Sequence, residues 1–180
     1  MKLLAIIVIL ILAGVAYARY RFSCAEKACQ EKLTQLRIVF KEREISIRAY
    51  LDHVSTYPVR EKELIGHVYE MLEYPKRHDN PMVEISLESV AGIIMKGLCI
   101  QMDSYPYIYE TEGYQRVRSN LLAAMSIVLM HAKVYNTEAQ QYNRMLEQFG
   151  YNFVAEACHL ERMPEYESEE ELVRNYKVAF

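Results

Sequence analysis

The sequence predicts an all-α protein, an N-terminal transmembrane helix followed by a body of helix laid on helix, and three observations lead there. Residues 3 to 18, LLAIIVILILAGVAYA, are apolar and uncharged. From Val15 to Tyr57 there is neither Gly nor Pro, so nothing in that stretch forces a helix to stop. Within and beyond it, apolar residues recur at alternating spacings of three and four, the period of a helix seam. Six Gly and five Pro in 180 residues are too few for short strands joined by tight turns.

The first element is the anchor, residues 1 to 22. Residues 3 to 18 rise about 24 Å as a helix, and the run spans a bilayer if Tyr20 and Phe22 sit at the interface. Its end, Ala16-Tyr17-Ala18, is also a small-x-small pattern at which a signal peptide is cut. Arg19 and Arg21 directly after that point disfavour export, so the anchor is expected to stay. No lipobox precedes Cys24. Lys2 stands on one side of the run, against Arg19, Arg21, Lys27 and Lys32 on the other, which by the positive-inside rule leans toward a cytoplasmic body.

The next element continues the same helix. Leu33, Leu36, Phe40, Arg43, Ile47, Tyr50, Val54 and Tyr57 form its seam, and Pro58 kinks or ends it by removing a backbone donor. A shorter helix with Leu64, Val68, Met71 and Leu72 apolar runs to Glu73. Residues 74 to 81, YPKRHDNP, read as a loop. Val83, Leu87, Val90, Ile94 and Leu98 then mark a helix ending near Asp103. The last long helix begins close to Thr111, with the seam Tyr114, Val117, Leu121, Met125, Val128, Ala132, Tyr135, Ala139, Tyr142, Leu146 and Phe149. After about 20 residues are set aside for the anchor, the remainder is enough for one domain with one core, at residues 23 to 163. The segment from 164 to 180 is acidic and reads as a flexible tail.

The last helix carries YNTEAQQYN, two Tyr-Asn pairs seven residues apart. Seven residues are two turns, so Tyr135 and Tyr142 share one stripe, with Ala132 and Ala139 leaving room for a neighbouring helix. Asn136 and Asn143 lie about 100° around from them, where their amides reach another segment. The expected role is packing and register, since a helical aromatic stripe more often packs than binds a ligand. Arg43 is the one charge in the first seam. No Asp or Glu lies in either seam, so snorkelling to water is expected over recruitment of another acid.

The segment from Tyr105 to Phe149 resembles the LemA family. Tyr105-Pro106, Ile108, Tyr114, Val117, Leu121, Tyr135-Asn136, Tyr142-Asn143 and Phe149 match the family pattern without a gap, Gly150 replacing a family proline. Phe153-Val154-Ala155 and Tyr166-Glu167 are similar to later family positions. Upstream, Arg43, Leu51, Val54, Tyr57, Glu61 and Val68 keep their places, while most of an Asp-Leu-Ile-Pro-Asn stretch is lost. Family sequences commonly carry Glu and Arg where Met125 and Ala132 stand here. The resemblance implies a single-pass protein of the bacterial inner membrane with an elongated antiparallel helical bundle and no established activity.

The chemistry visible in the sequence is sparse. A net charge of -3, from 21 basic and 24 acidic side chains, offers no field to hold a nucleic acid. The five His form no HExxH or paired HxxxH, and Gly92 and Gly97 lie in an apolar helix, where they read as close-packing positions and not as a phosphate loop. Glu63, His67 and Glu70 share a helical face; a solvated polar face is expected there over a metal. Cys24, Cys29, Cys99 and Cys158 form no ligand-like spacing and read as packing side chains. No catalytic, cofactor or metal residue is assigned. The expected function is a non-enzymatic, membrane-anchored scaffold that meets other proteins through helical surfaces. The alternatives are a metal-binding or redox helical protein, and an exported one after signal cleavage.

Overall fold

A computed structural model describes residues 2–73 and 80–168. Among them the helices are α1 (Lys2–Val54), α2 (Lys62–Glu73), α3 (Pro81–Asp103), α4 (Pro106–Tyr109), α5 (Glu112–Glu147) and α6 (Tyr151–Ala157), with no strand. The all-α class, with a long apolar helix at the N-terminus, is the one the sequence predicts. Most of the loop expected at 74 to 81 lies outside the described residues.

Local chemistry sets the helix ends. α1 stops four residues before Pro58, and its last carbonyls are taken up as Ser55 Oγ and Thr56 Oγ1 donate to Leu51 O and His53 O, each at 2.7 Å. α3 opens with Pro81 in its first turn, and the Asn80 side chain accepts from Met82 N at 2.9 Å. Before α5, Thr111 Oγ1 accepts from Tyr114 N at 3.4 Å. Between α5 and α6, Gly150 has φ 87°, a left-handed conformation that glycine adopts freely and that the ring of a family proline forbids.

Two compact units emerge, Met1–Thr34 with Val134–Glu165, and Gln35–Lys133 with Tyr166–Phe180. The single core expected from chain length is therefore divided, because α1 and α5 are each long enough to contribute to both units. In the second unit the four longer helices, α1, α2, α3 and α5, alternate in direction. Tyr69 donates to Asp52 and Arg48 pairs with Glu73, setting α2 antiparallel to α1. Arg37 pairs with Glu84 and Arg43 with Glu88, setting α3 parallel to α1. Tyr50–Tyr114 and Tyr57–Thr111 hydroxyl contacts, both 3.3 Å, set α5 antiparallel again. Ile47, Tyr50, Leu51, Val54, Ile65, Val68, Leu72, Met95, Leu98, Met102, Tyr114 and Leu121 fill its core.

In the first unit, Ala18, Phe22, Cys29, Tyr142, Val154 and Ala155 gather into a second cluster. The Phe22 ring meets Tyr142 and Tyr151 edge-on, at 5.9 and 5.8 Å between centroids. The buried stripe of α1 thus begins at Ala18, fifteen residues before the seam read from the sequence. Residues 2–17 are exposed throughout. Phe22, expected at a membrane interface, is instead a core residue.

Two further readings are corrected. Val90 is exposed, and α3 buries Ile85, Ser89, Ala91, Met95, Leu98, Cys99 and Met102 instead; α3 is apolar on most sides, so periodicity alone left its inward face open. Phe149, placed at the end of the α5 seam, is 87% exposed. The helix has ended at Glu147, and beyond that point the 3.6-residue period no longer directs a side chain.

Candidate functional site

The polar residues singled out by the sequence fall into two clusters, one in each unit. In the first unit, α5 holds the extended segment that follows α6. Asn143 Nδ2 donates to Met163 O at 2.9 Å while Met163 N donates to Asn143 Oδ1 at 2.8 Å. One amide so satisfies both backbone groups of one residue, as a neighbouring strand would. Nδ2 also lies 3.4 Å from Glu165 Oε1, and Gln140 Nε2 donates to Glu165 Oε2 at 2.8 Å. One turn and more away, Tyr135 donates to Pro164 O at 2.6 Å. Tyr135 and Tyr142 are buried, Asn143 is buried beside them, and Asn136 is half-buried.

In the second unit the cluster centres on Arg43, which is 1% exposed. It does not snorkel. Its Nη2 pairs with the Glu88 carboxylate and donates to Glu88 O at 2.7 Å, while Nη1 donates to the Tyr166 hydroxyl at 3.2 Å. Its guanidinium carbon stands 5.5 Å from the centroid of the Phe40 ring, which also packs against Tyr166 at 6.0 Å. Gly92 makes this possible: a Cβ there would lie 3.3 Å from both Arg43 Nη1 and Tyr166 Oη. Gly97, read as a second close-packing glycine, has open space around it. Burial pushes the Glu88 carboxyl above the usual range, and Arg43 pulls it the other way without cancelling that effect. Backbone N of Glu167 donates to Ser89 Oγ at 3.2 Å, extending the same contact.

Both clusters engage residues 163 to 167, so the flexible tail does not begin at residue 164. Packing extends at least to Glu167, and residues 169–180 lie outside the described part of the chain. Sequence reasoning missed Glu88 because it sits beside, and not within, the apolar phase assigned to α3. A signal was present: Glu84 and Glu88, one turn apart, face Arg37 and Arg43 of α1, and Arg37 forms a bidentate pair with Glu84, Nη2 to Oε2 at 2.7 Å and Nε to Oε1 at 3.1 Å.

A third network lies deeper in the second unit. Tyr114 donates to Asp103 Oδ1 at 2.7 Å, Arg118 grips both Asp103 oxygens at 2.6 and 2.8 Å, and the Tyr50 hydroxyl is 3.3 Å from that of Tyr114. Burial pushes Asp103 up, yet hydrogen bonds from Arg118 and Tyr114 outweigh it and hold the carboxyl below the ordinary Asp range. Burial raises both phenols. Tyr105 starts α4, ahead of Pro106 in its first turn, and its hydroxyl lies 3.3 Å from both oxygens of Glu61.

These arrangements join side chains to one another and to backbone. Glu63, His67 and Glu70 are all exposed, and among the described residues no group of three or more His, Cys, Asp or Glu side chains is placed to hold a metal ion. All four cysteines are free thiols, Cys29 and Cys99 buried, Cys24 and Cys158 exposed. Burial pushes the Cys29 thiol up to about 11 and raises Cys99 as well, which keeps both in the unreactive protonated form.

The fold therefore defines an all-helical protein whose leading helix is long and apolar enough to cross a membrane, by length and composition. The LemA family model matches residues 32–180, and the chain belongs to the LemA family. No protein of curated function matches it.

Proposed function

We propose that the chain is a non-enzymatic scaffold of the bacterial inner membrane, anchored by the first part of α1 and meeting other proteins through its helical surfaces. The observation that carries this reading is the change in α1 at Ala18: residues 2–17 are exposed and apolar almost throughout, and from Ala18 onward the same helix buries one stripe against protein. An uncovered apolar run of that length is costly in water and at rest in lipid. Ala18 packs into the first unit within an unbroken helix, which favours retention of the anchor over cleavage after Ala18. Basic residues following the run favour a cytoplasmic body.

Crosslinking in the native membrane, followed by identification of the captured proteins, tests the scaffold reading. Reproducible partners that depend on exposed positions of the helices are expected. Stoichiometric iron or zinc in the purified protein would overturn it. The mass of the mature N-terminus tests anchoring, because a chain starting at Arg19 means the span is gone. A cysteine added in the tail, in a background with native cysteines replaced, is expected to resist a membrane-impermeant thiol reagent in intact cells. Ready labelling would put the body outside.

A further inference from the structure

Resting on the membrane reading above, we infer that the corner between α5 and α6 is a second membrane contact, in which Phe149 and Phe153 enter the headgroup layer beside the anchor. Phe149 is 87% exposed and Phe153 62%, and their rings meet edge-on at 6.0 Å, so together they present one aromatic knob that the protein does not cover. Isolated exposed apolar residues are ordinary; a paired, outward aromatic cluster continuous with a larger apolar surface marks a contact.

Position identifies the occupant as lipid. Within the first unit, Phe22 meets Tyr142, and Glu138 acts electrostatically on Cys29, so α5 runs antiparallel to this part of α1. Seven residues from Tyr142 toward the end of α5 correspond to about seven residues back along α1 from Phe22, which brings the corner level with the last turn of the exposed apolar run. Tyr151 on Phe22, and Val154 and Ala155 clustered with Ala18, hold α6 against the turns of α1 that directly follow that run.

Length supplies a second, independent reason. Residues 2–17 rise only about 24 Å, against a hydrocarbon core of about 30 Å. The shortfall of about 6 Å draws the next turn, Ala18 to Tyr20, toward the interface, and whatever packs on that turn goes with it. What packs there is the α6 corner. Tyr17 and Tyr20 are exposed at the same level, so the four aromatics form the kind of belt found at membrane–water boundaries, with Arg19 and Arg21 able to reach phosphate. α6 then acts as a prop that fixes how the first unit meets the membrane.

The chain contains no Trp, so a single introduced one reports without background. The full-length chain would be reconstituted into phosphatidylcholine–phosphatidylglycerol vesicles whose lipids carry bromine either high on the acyl chain or near its methyl end. Val8→Trp reports the anchor itself, Phe149→Trp and Phe153→Trp report the corner, and Val134→Trp, at an exposed position of α5 in the same unit and about two turns before Tyr142, is the reference. The corner variants are expected to show blue-shifted emission and greater loss of intensity with the shallow bromines than with the deep ones, while Val134→Trp is unaffected. Quenching of Val8→Trp with water-like, unquenched emission at both corner positions would overturn the inference and leave the anchor standing. No quenching at position 8 or at the corner would overturn both, and quenching at the corner alone would uphold the contact while rejecting the anchor.

Discussion

Asn143 and Arg43 hold neighbouring parts of the chain after α6, and they do so with opposite chemistry. Asn143 is neutral, and its amide matches the N–H and C=O of Met163 one for one. Arg43 is a buried charge that requires the Glu88 carboxylate, the Glu88 carbonyl, the Tyr166 phenol and the missing side chain of Gly92, and its Nε still has no hydrogen-bond partner. The difference teaches where each unit is fragile. Loss of a neutral pairing leaves two backbone groups unsatisfied, whereas loss of one ion strands the other in a medium that solvates it poorly.

The largest effect is expected at the charged contact. Arg43→Met should cost about 3 to 5 kcal/mol in chemical denaturation, since it leaves the buried Glu88 without its cation, and adding Glu88→Gln should recover a large share. A double variant no more stable than the single one would show that the ion pair is not what Arg43 supplies. On the other side of the comparison, Tyr142→Ala removes a buried ring that meets Phe22 edge-on and should cost about 3 to 4 kcal/mol. Unfolding indistinguishable from the parent would return the tyrosines to the surface and reopen a binding role. Asn143→Ala should cost less, about 1 to 3 kcal/mol, with faster hydrogen exchange at the Met163 amide as its specific sign.

Acid sharpens the contrast between paired carboxylates. Asp103 is held below its ordinary range, so its contribution to stability is present above the unfolded Asp pKa and is lost as pH falls through the folded value. Glu88 is raised, so its contribution runs the other way, present at low pH and lost as pH rises through its folded value. Denaturation midpoints measured from neutral to about pH 3 should therefore fall less steeply for Asp103→Asn than for the parent. The smallest effects belong to glycine. Gly97→Ala, in open space within α3, should stabilise by about 0.5 to 1 kcal/mol, and Gly92→Ala should gain less or destabilise, because Arg43 and Tyr166 stand 3.3 Å from the new methyl and are both held.

Helix existence, helix faces and the family were legible in the sequence because each depends on residues near one another in the chain. A three-four spacing puts Leu33 through Val54 on one stripe whatever covers it, and Pro58 or Pro81 ends or begins a helix by its own ring. The Tyr-Asn repeat announced buried tyrosines for the same reason. The spacing rule gave less at Phe149, where the helix stops, and within α3, where nearly every face is apolar. Gly97 shows the same limit: its residue type suggested close packing, and its surroundings decided otherwise.

What the tertiary structure alone decided is which distant groups meet. The amino-acid sequence contains an arginine in one seam and two acids in another helix, but only the parallel placement of α3 on α1 makes Glu88 the partner of Arg43 and rules out snorkelling. The docking of residues 163 to 167 is likewise invisible locally, since an acidic run reads as solvated until Asn143, Tyr135 and Ser89 are seen to bond its backbone. The physical reason is common to all these cases. Periodicity is a property of one helix and its own geometry, whereas the fate of a buried polar group is set by whichever neighbour the folded chain brings within hydrogen-bond distance.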